Sequence, residues 1–378
     1  MPWALRGPVR RARNAVRRAR VVAAQPERWQ EIEATPPRRG EPAVSYGVEE
    51  MPGPDEVVIG GAVKFQLLHG IHPNAPRDFN VLYLGSSALP HEAGRLLKLA
   101  RKRGAVFVWN QNGVAYRGWY GEGYELVNRP RAKLLREADH VFFQTAFCKL
   151  GADRFYGERQ GPWEILPNPV DTERFRPALR PVDRPPTLLL AGSQYQRYRL
   201  AAALETLALV RAERPDARLL VAGALSFSED GEEQAAELVR ALRIEDAVDF
   251  LGPYTQAEAP ALMQRADVLL HTKYNDPCPT AVLEALACGV PVVYSASGGV
   301  PELVGEDAGL GVPAPLDWER DHPPAAAELA PLVLRLLEDA PTRPEAARAR
   351  AERFSARGWI ARHEEVFAQL IANNPPVS

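Results

Sequence analysis

Short apolar runs alternate with amphipathic stretches along most of the chain. Runs at 81–84, 106–109 and 141–144 predict strands, and either 43–46 or 57–59 predicts one before them. Helices are expected between them over 62–69, 90–102 and 129–137, and onward from Ala146. Apolar runs too short for helices, bounded by turn residues and separated by amphipathic helices, describe a parallel sheet covered on both faces. The pattern restarts with strands at 188–190, 218–222, 248–251, 268–270 and 291–294 and helices at 200–213 and 232–242. Between the two series, Pro167, Pro169, Pro177, Pro181, Pro185 and Pro186 fall in a stretch without apolar periodicity, as in an interdomain connection. The final stretch, 325–373, reads as helical with breaks near Pro341 and Pro344. The expected fold is α/β, with two Rossmann-like doubly wound domains facing across a cleft. Ligands of such sheets sit beyond the carboxyl ends of the strands.

Composition changes little in this picture. Of 378 residues, 46% are hydrophobic and 25% charged, ordinary values for a globular protein. A net charge of −2 gives no reason to expect nucleic acid as a partner. Cys148, Cys278 and Cys288 form no paired or metal-spaced set, which points to reduced thiols in a cytoplasmic setting. No apolar run is long enough to cross a bilayer, and the start lacks the apolar core of a secretory signal. The charge is uneven, however. Arg6, Arg10, Arg11, Arg13, Arg17, Arg18 and Arg20 precede the first acid, with Val9, Ala12, Val16 and Ala19 at helical spacing among them. Peripheral contact with an anionic membrane, at its inner face, is one reading of this arm; a solvated arm is the other.

The segment that carries chemistry is 271–293, His-Thr-Lys-Tyr-Asn-Asp-Pro-Cys-Pro-Thr-Ala-Val-Leu-Glu-Ala-Leu-Ala-Cys-Gly-Val-Pro-Val-Val. It reads strand, loop, helix, turn, strand. Pro279 suits the first helical position, and Thr280 and Ala281 then offer unpaired backbone N–H groups at a positive helix end, a site for a diphosphate. Either Asp276 or an incoming phosphate is expected to satisfy these donors. Asp276 and Glu284 stand eight apart, one in the loop and one past the first turn, so both can face the same cleft as acceptors for sugar hydroxyls. Two acids at this spacing also arise by chance. The setting, with Gly298-Gly-Val-Pro-Glu302 downstream, gives the spacing its weight.

These motifs resemble those of the retaining nucleotide-sugar glycosyltransferases of the GT4 type, which have the two-domain GT-B fold. The acid-x7-acid motif matches Asp276 through Glu284. The Gly298–Val304 run and the linker from Leu166 to Pro177 match too, and Gly60-Gly61 falls where the family has a glycine pair near the donor phosphates. The resemblance implies that Asp276 binds the transferred sugar and Glu284 the ribose. It implies that Pro279, Thr280 and Ala281 present the diphosphate site, and that Leu251 and Tyr254 border the base. It also implies a nucleotide-diphosphate sugar as co-substrate, a sugar, glycolipid or small-molecule acceptor, and no metal, in keeping with scattered histidines and unclustered acids. The expected organisation is an arm over 1–42, an acceptor-side domain over 43–177, a donor-binding domain over 178–355, and a C-terminal helix over 356–378 crossing back to the first domain.

Three departures from the family pattern matter. Asp276 stands where the family usually has Glu. The segment Gly192-Ser-Gln-Tyr-Gln-Arg-Tyr-Arg199 places Ser193 at the family's phosphate-binding arginine and Tyr198 at its lysine. Arg197 and Arg199 are near enough to substitute, since arginine forks suit phosphate; as alternatives, both are solvated loop residues. Finally, the family's first-domain histidine is absent, and Asn110, Gln111 or Asn112 faces the reacting centre in its place, none of them a good base. His69, His72 and His91 lie in loops of the same domain, while Tyr116, Trp119, Tyr120 and Tyr124 either stack on an acceptor or simply fold a loop. The expected activity is retaining glycosyl transfer. The alternatives are another enzyme of this fold, such as a sugar-nucleotide epimerase, and a catalytically inactive nucleotide-sugar-binding partner.

Overall fold

The computed structural model describes residues 26–53, 55–57, 60–178, 184–338 and 343–374. The basic arm lies outside them. Two wholly parallel sheets organise the chain. The first holds β1 (Val44–Ser45), β2 (Val81–Gly85), β3 (Val106–Gln111), β4 (His140–Phe143) and β5 (Trp163–Ile165) in sequential order. Every residue of β2, β3 and β4 is buried, because helices cover both faces. On one face Leu96, Leu97 and Ala100 of the helix Ala93–Lys102 pack with Phe107, Trp109 and Phe143. On the other, Phe65 and Leu68 of the helix Gly60–His69 pack with Val106, Val108 and Phe142.

The second sheet contains β6 (Thr187–Ala191), β7 (Arg218–Ala222), β8 (Val248–Gly252), β9 (Val268–His271), β10 (Val292–Ala296) and β11 (Gly309–Pro313), in the order β11-β10-β9-β6-β7-β8. The chain builds outward from β6 through β7 to β8. It then returns to the opposite side of β6 with β9. The carboxyl ends of β6 and β9 therefore form the topological switch point where an open α/β sheet splits to admit a ligand.

Several local expectations need correcting. Of the two places offered for the early strand, 43–46 holds it, at Val44–Ser45; Val57 is 64% exposed, and 58–59 fall outside the described residues. The stretch 26–34, expected to be part of an arm, is a helix whose Trp29 and Ile32, three apart on one face, join the first core. Strands β5 and β11 carry no apolar run: β5 is a half-exposed edge, and β11 is Gly-Leu-Gly-Val-Pro.

Two chain crossings join the domains, and they run side by side. Val170 N–H donates to the Phe354 carbonyl and Ala356 N–H donates to the Val170 carbonyl, each at 2.9 Å. Beyond them, Ser355 caps the helix Ala356–Asn373, which lays Trp359, His363, Val366 and Phe367 against the first sheet. His363 Nε2 lies 2.9 Å from the Tyr83 hydroxyl, and burial pushes the imidazole down to about 3, so it is a neutral core group. Among the described residues no helix is long and apolar enough to cross a membrane.

A further contact leaves the second domain after β11. The loop 314–325 inserts Trp318 into the first domain, where it stacks on Phe147 at 5.2 Å and meets Tyr116 and Phe155 edge-on. Its carbonyl accepts from Gly118 N–H at 2.9 Å. Glu302, in the helix Val300–Val304, supplies a second tie by accepting from Ala146 and Phe147 N–H at 2.7 and 3.0 Å. A second-domain carboxylate thus occupies the N-terminus of the first-domain helix Ala146–Tyr156, whose N-cap Thr145 donates its hydroxyl to the Pro277 carbonyl.

Candidate active site

The loops after β6 and β9 meet at the switch point. After β9 the chain passes Thr272, Lys273, Tyr274 and Asn275 before Asp276, then enters the helix Thr280–Ala287. Asn275 holds the left-handed conformation at φ 49°, which turns the backbone sharply just before Asp276. Two glycines make room for this bend. A Cβ on Gly298 would strike the backbone of Asp276, and one on Gly299 would strike the Pro277 carbonyl, so the Gly-Gly turn after β10 presses directly on the Asp276 loop.

The helix Thr280–Ala287 starts without a side-chain cap. Pro279 stands at the N-cap, one place earlier than expected, and offers no acceptor. Asp276 does not fill the role either: its carboxylate is 3.1 Å from His271 Nε2 and 3.2 Å from Lys273 Nζ. The first backbone donors of the helix, from Thr280 and Ala281, thus have no side-chain acceptor at the N-cap, the condition an anion site needs. Burial opposes the charge on Asp276, but Lys273, the His271 hydrogen bond and Arg199 outweigh it and hold the carboxyl well below the usual range. Burial pushes His271 down against the pull of Asp276, so the ring is neutral and donates through Nε2.

Glu284 lies one helical face on and is buried to 3% exposure. Gln256 Nε2 donates to it at 3.2 Å, and burial pushes its carboxyl up to about 7, with Gln256 and Arg174 pulling the other way. A buried carboxylate with so few donors favours a ligand that brings hydroxyls. The folded value lies above the ordinary 4.5, so this group stabilises the fold at low pH and that contribution is lost as pH rises through about 7. Binding of a hydroxyl-bearing ligand at Glu284 should therefore strengthen as pH rises through the same window, and Glu284→Gln should flatten that dependence. Titration calorimetry between pH 5.5 and 8.5 checks this; an unchanged slope in the variant removes Glu284 as that ligand's acceptor.

The β6 side supplies charge. Arg199, 4% exposed, sends Nη1 to the Ser193 carbonyl at 2.7 Å, while Arg197 is exposed at the start of the helix Arg197–Glu213. Arg199 and Lys273 approach the ring of Tyr195, each at 5.3 Å. Tyr198 braces the loop, donating to Gln196 Oε1 and accepting from Tyr274 N–H. Gly192 and Gly223, both with positive φ, let the loops after β6 and β7 touch; a Cβ on Gly223 would meet the Gly192 carbonyl. Tyr254 is half-buried with Gly192 and Glu284 among the groups acting on it, and Leu251 is exposed nearby in the chain.

The first domain contributes differently from expectation. Asn110 is 1% exposed, donates to the Tyr83 hydroxyl at 3.1 Å and accepts from Gln144 at 2.7 Å. Its place in β3 explains this: it alternates with Val106 and Val108 on the face covered by the C-terminal helix. Both ends of its amide are used inside the domain, so it does not face the reacting centre. His69 accepts from Asn74 N–H, His72 faces Glu364, and His91 is an exposed turn residue. Tyr116 is buried on Trp318, and Trp119 remains 38% exposed beside Tyr120. Gly60 and Gly61 open the helix Gly60–His69, and Gly61 lies so close to Ser87 that a Cβ would not fit. From that helix the buried Lys64 reaches Asn168 Oδ1 at 3.2 Å, and Asn168 Nδ2 donates to the Cys278 carbonyl at 2.8 Å. Burial pushes the Lys64 ammonium down to about 8.

Lys273, His271, Tyr195, Gln256 and Lys64 were not singled out in the sequence reading. Lys273 and His271 lay inside the recognised segment. Only the sheet order, which sets β9 beside β6, shows that Lys273 faces the loop of Arg199.

Residues 171–353 match the family model for glycosyl transferases group 1. A D-inositol 3-phosphate glycosyltransferase from Pseudarthrobacter chlorophenolicus is 33% identical over 54% of this chain and 49% of its own length. A glycogen synthase from Mycobacterium tuberculosis is 27% identical over 63% of this chain and 55% of its own. The chain thus spans about half the length of these curated relatives. Among solved structures, sucrose-phosphate synthase from Thermosynechococcus elongatus superimposes with a TM-score of 0.62 at 22% identity, covering 82% of this chain and 77% of that one. Anabaena Alr3699/HepE in complex with UDP gives 0.62 at 19% identity, covering 81% and 82%. At such identities the likeness establishes the fold, and the fold is GT-B.

Proposed function

We propose that this chain, whose residues 171–353 carry a group 1 glycosyl transferase domain, moves a sugar from a nucleotide-diphosphate donor to an acceptor with retention at the anomeric carbon. The observation that carries this reading is the uncapped start of the helix Thr280–Ala287, set between Asp276 and Glu284 at the switch point. The helix end suits the diphosphate, Glu284 the ribose hydroxyls and Asp276 the hydroxyls of the transferred sugar. Diphosphate charge is met here by side chains and backbone dipoles, with no metal required.

No carboxylate in the site is free to act as a nucleophile. Asp276 is held by His271 and Lys273, and Glu284, inside the helix one turn past its start, is bonded by Gln256. A front-face displacement fits best: the acceptor oxygen attacks on the side from which the diphosphate leaves, and its proton passes to the departing phosphate. Closing the cleft excludes water from the reactive donor.

Uracil is the first candidate base, since HepE was solved with UDP, and phosphorylated polyols are the first acceptors to try, following the name of the curated relatives. A thermal-shift screen against UDP, GDP, ADP and dTDP, followed by turnover of the matching sugar nucleotides, tests the reading. Stabilisation by one diphosphate and transfer with retained anomeric configuration is the expected outcome. Binding without transfer to any acceptor sinks it in favour of an inactive binding partner, and isomerised donor in favour of an epimerase.

A further inference from the structure

Ser193 and Tyr198 leave the positions of the family's two phosphate cations without charge, yet the structure collects two cations at the same place. We infer that Lys273 and Arg199, brought together across the switch point, form the cation pair that receives the departing diphosphate. This rests on the proposed sugar transfer and assigns the charge that transfer needs.

Arg199 reaches the site from the β6 side and Lys273 from the β9 side. Both lie against one ring, that of Tyr195. Arg199 is a guanidinium at 4% exposure whose Nε is buried and meets no acceptor among the described residues. Among the described residues its side-chain hydrogen bond goes to a neutral carbonyl, that of Ser193. The carboxylate acting on it, Asp276, spends its ion pairs on His271 and Lys273. A buried cation held in this way is costly unless an anion arrives to meet it. Lys273 spends one ammonium proton on Asp276 and another on the Tyr195 hydroxyl, which leaves a donor for a second anion.

The shortened acid fits the same arrangement. Lys273 lies three residues before Asp276, and the side chain there draws Nζ to 3.2 Å of the carboxylate. A single ammonium so placed touches both the acid assigned to the sugar and the phosphate side of the bond that breaks. As the bond from the anomeric carbon to the β-phosphate oxygen opens, the electron pair stays on that oxygen. The acceptor oxygen forms the new bond to carbon, and its proton passes to the released phosphate. The pair stabilises charge that grows as the transfer proceeds.

The test compares nucleoside diphosphate with nucleoside monophosphate by titration calorimetry, using UDP and UMP, GDP and GMP, and ADP and AMP. Lys273→Met should weaken the preferred diphosphate about tenfold or more and leave its monophosphate within about twofold, since only the diphosphate reaches the pair. Arg199→Lys, which keeps the charge and loses the fork, should weaken the diphosphate by a smaller factor. Circular dichroism establishes that each variant is folded. Folded variants that both keep the wild-type ratio of diphosphate to monophosphate affinity overturn the inference. Turnover measured alongside separates the two failures: transfer that proceeds in wild type and is untouched in Lys273→Met removes the cation pair alone. Wild-type protein that does not prefer any diphosphate removes both.

Discussion

Replacing Asp276 with Asn is expected to lower the rate of sugar transfer on the order of 10²–10³-fold while leaving nucleoside diphosphate affinity nearly unchanged. The substitution keeps the shape of the side chain and removes only its charge. The His271 ring can still donate to the amide oxygen, so the loop keeps its form, but Lys273 loses its anion. An amide also accepts less strongly from the sugar hydroxyls, and that loss grows as positive charge develops at the anomeric carbon. In the proposed site, affinity for the diphosphate rests on the helix end and the cations, which the change leaves in place or frees. Initial rates of diphosphate release, read beside calorimetric titration of the same variant, test this. A variant that turns over at the wild-type rate excludes Asp276 from the reacting centre. Parallel losses of binding and rate would move it to the diphosphate site.

The second large effect is expected from Trp318→Ala. Trp318 is 7% exposed and belongs to the loop that leaves β11, yet its indole lies in the core of the other domain between Phe147, Tyr116 and Phe155. Truncating a buried aromatic of this size costs about 3–5 kcal/mol. Here the loss falls on the junction of two domains, so the apparent melting transition should drop and broaden and a single two-state value should no longer describe it. The same loop brings Asp321 to within 2.9 Å of Gln196 Nε2, at the N-cap of the helix that carries Arg199. Loosening Trp318 should therefore raise the KM for the donor as well. Calorimetric unfolding and hydrogen exchange at 114–119 check the claim, and a melting profile identical to wild type defeats it.

Much of the second domain was legible because its signals are local. The strands β6, β7, β9 and β10 each contain an apolar run, and the uncapped helix start lies in one contiguous segment with both acids. What escaped depended on pairing between distant parts of the chain. Strand β5 exists only because β4 supplies its partner, and its exposed Trp163 and Ile165 give no buried pattern to read. Trp318 sits in a loop with no periodicity, and nothing along the sequence says that its pocket is formed by residues near 116, 147 and 155. Lys273 became meaningful only with the order of the strands. Asn110 is the instructive reverse: its parity with Val106 and Val108 was legible, but that this face of β3 lies under the C-terminal helix came only with the structure.

The return of the helix Ala356–Asn373 to the first sheet has a consequence for the order in which this protein can be made. A chain emerging from the ribosome releases residues 43–177 long before Trp359, His363 and Phe367, which complete one face of their core. Until those residues appear, the first sheet has an apolar face of Val81, Val106, Val108 and Phe142 that only part of its cover, the helix Gly60–His69, can protect. Vectorial synthesis would favour folding of the second domain first, with the first domain closing last around a segment translated after both. A nascent chain arrested before residue 356 should then show a protease-sensitive first half and a resistant second half.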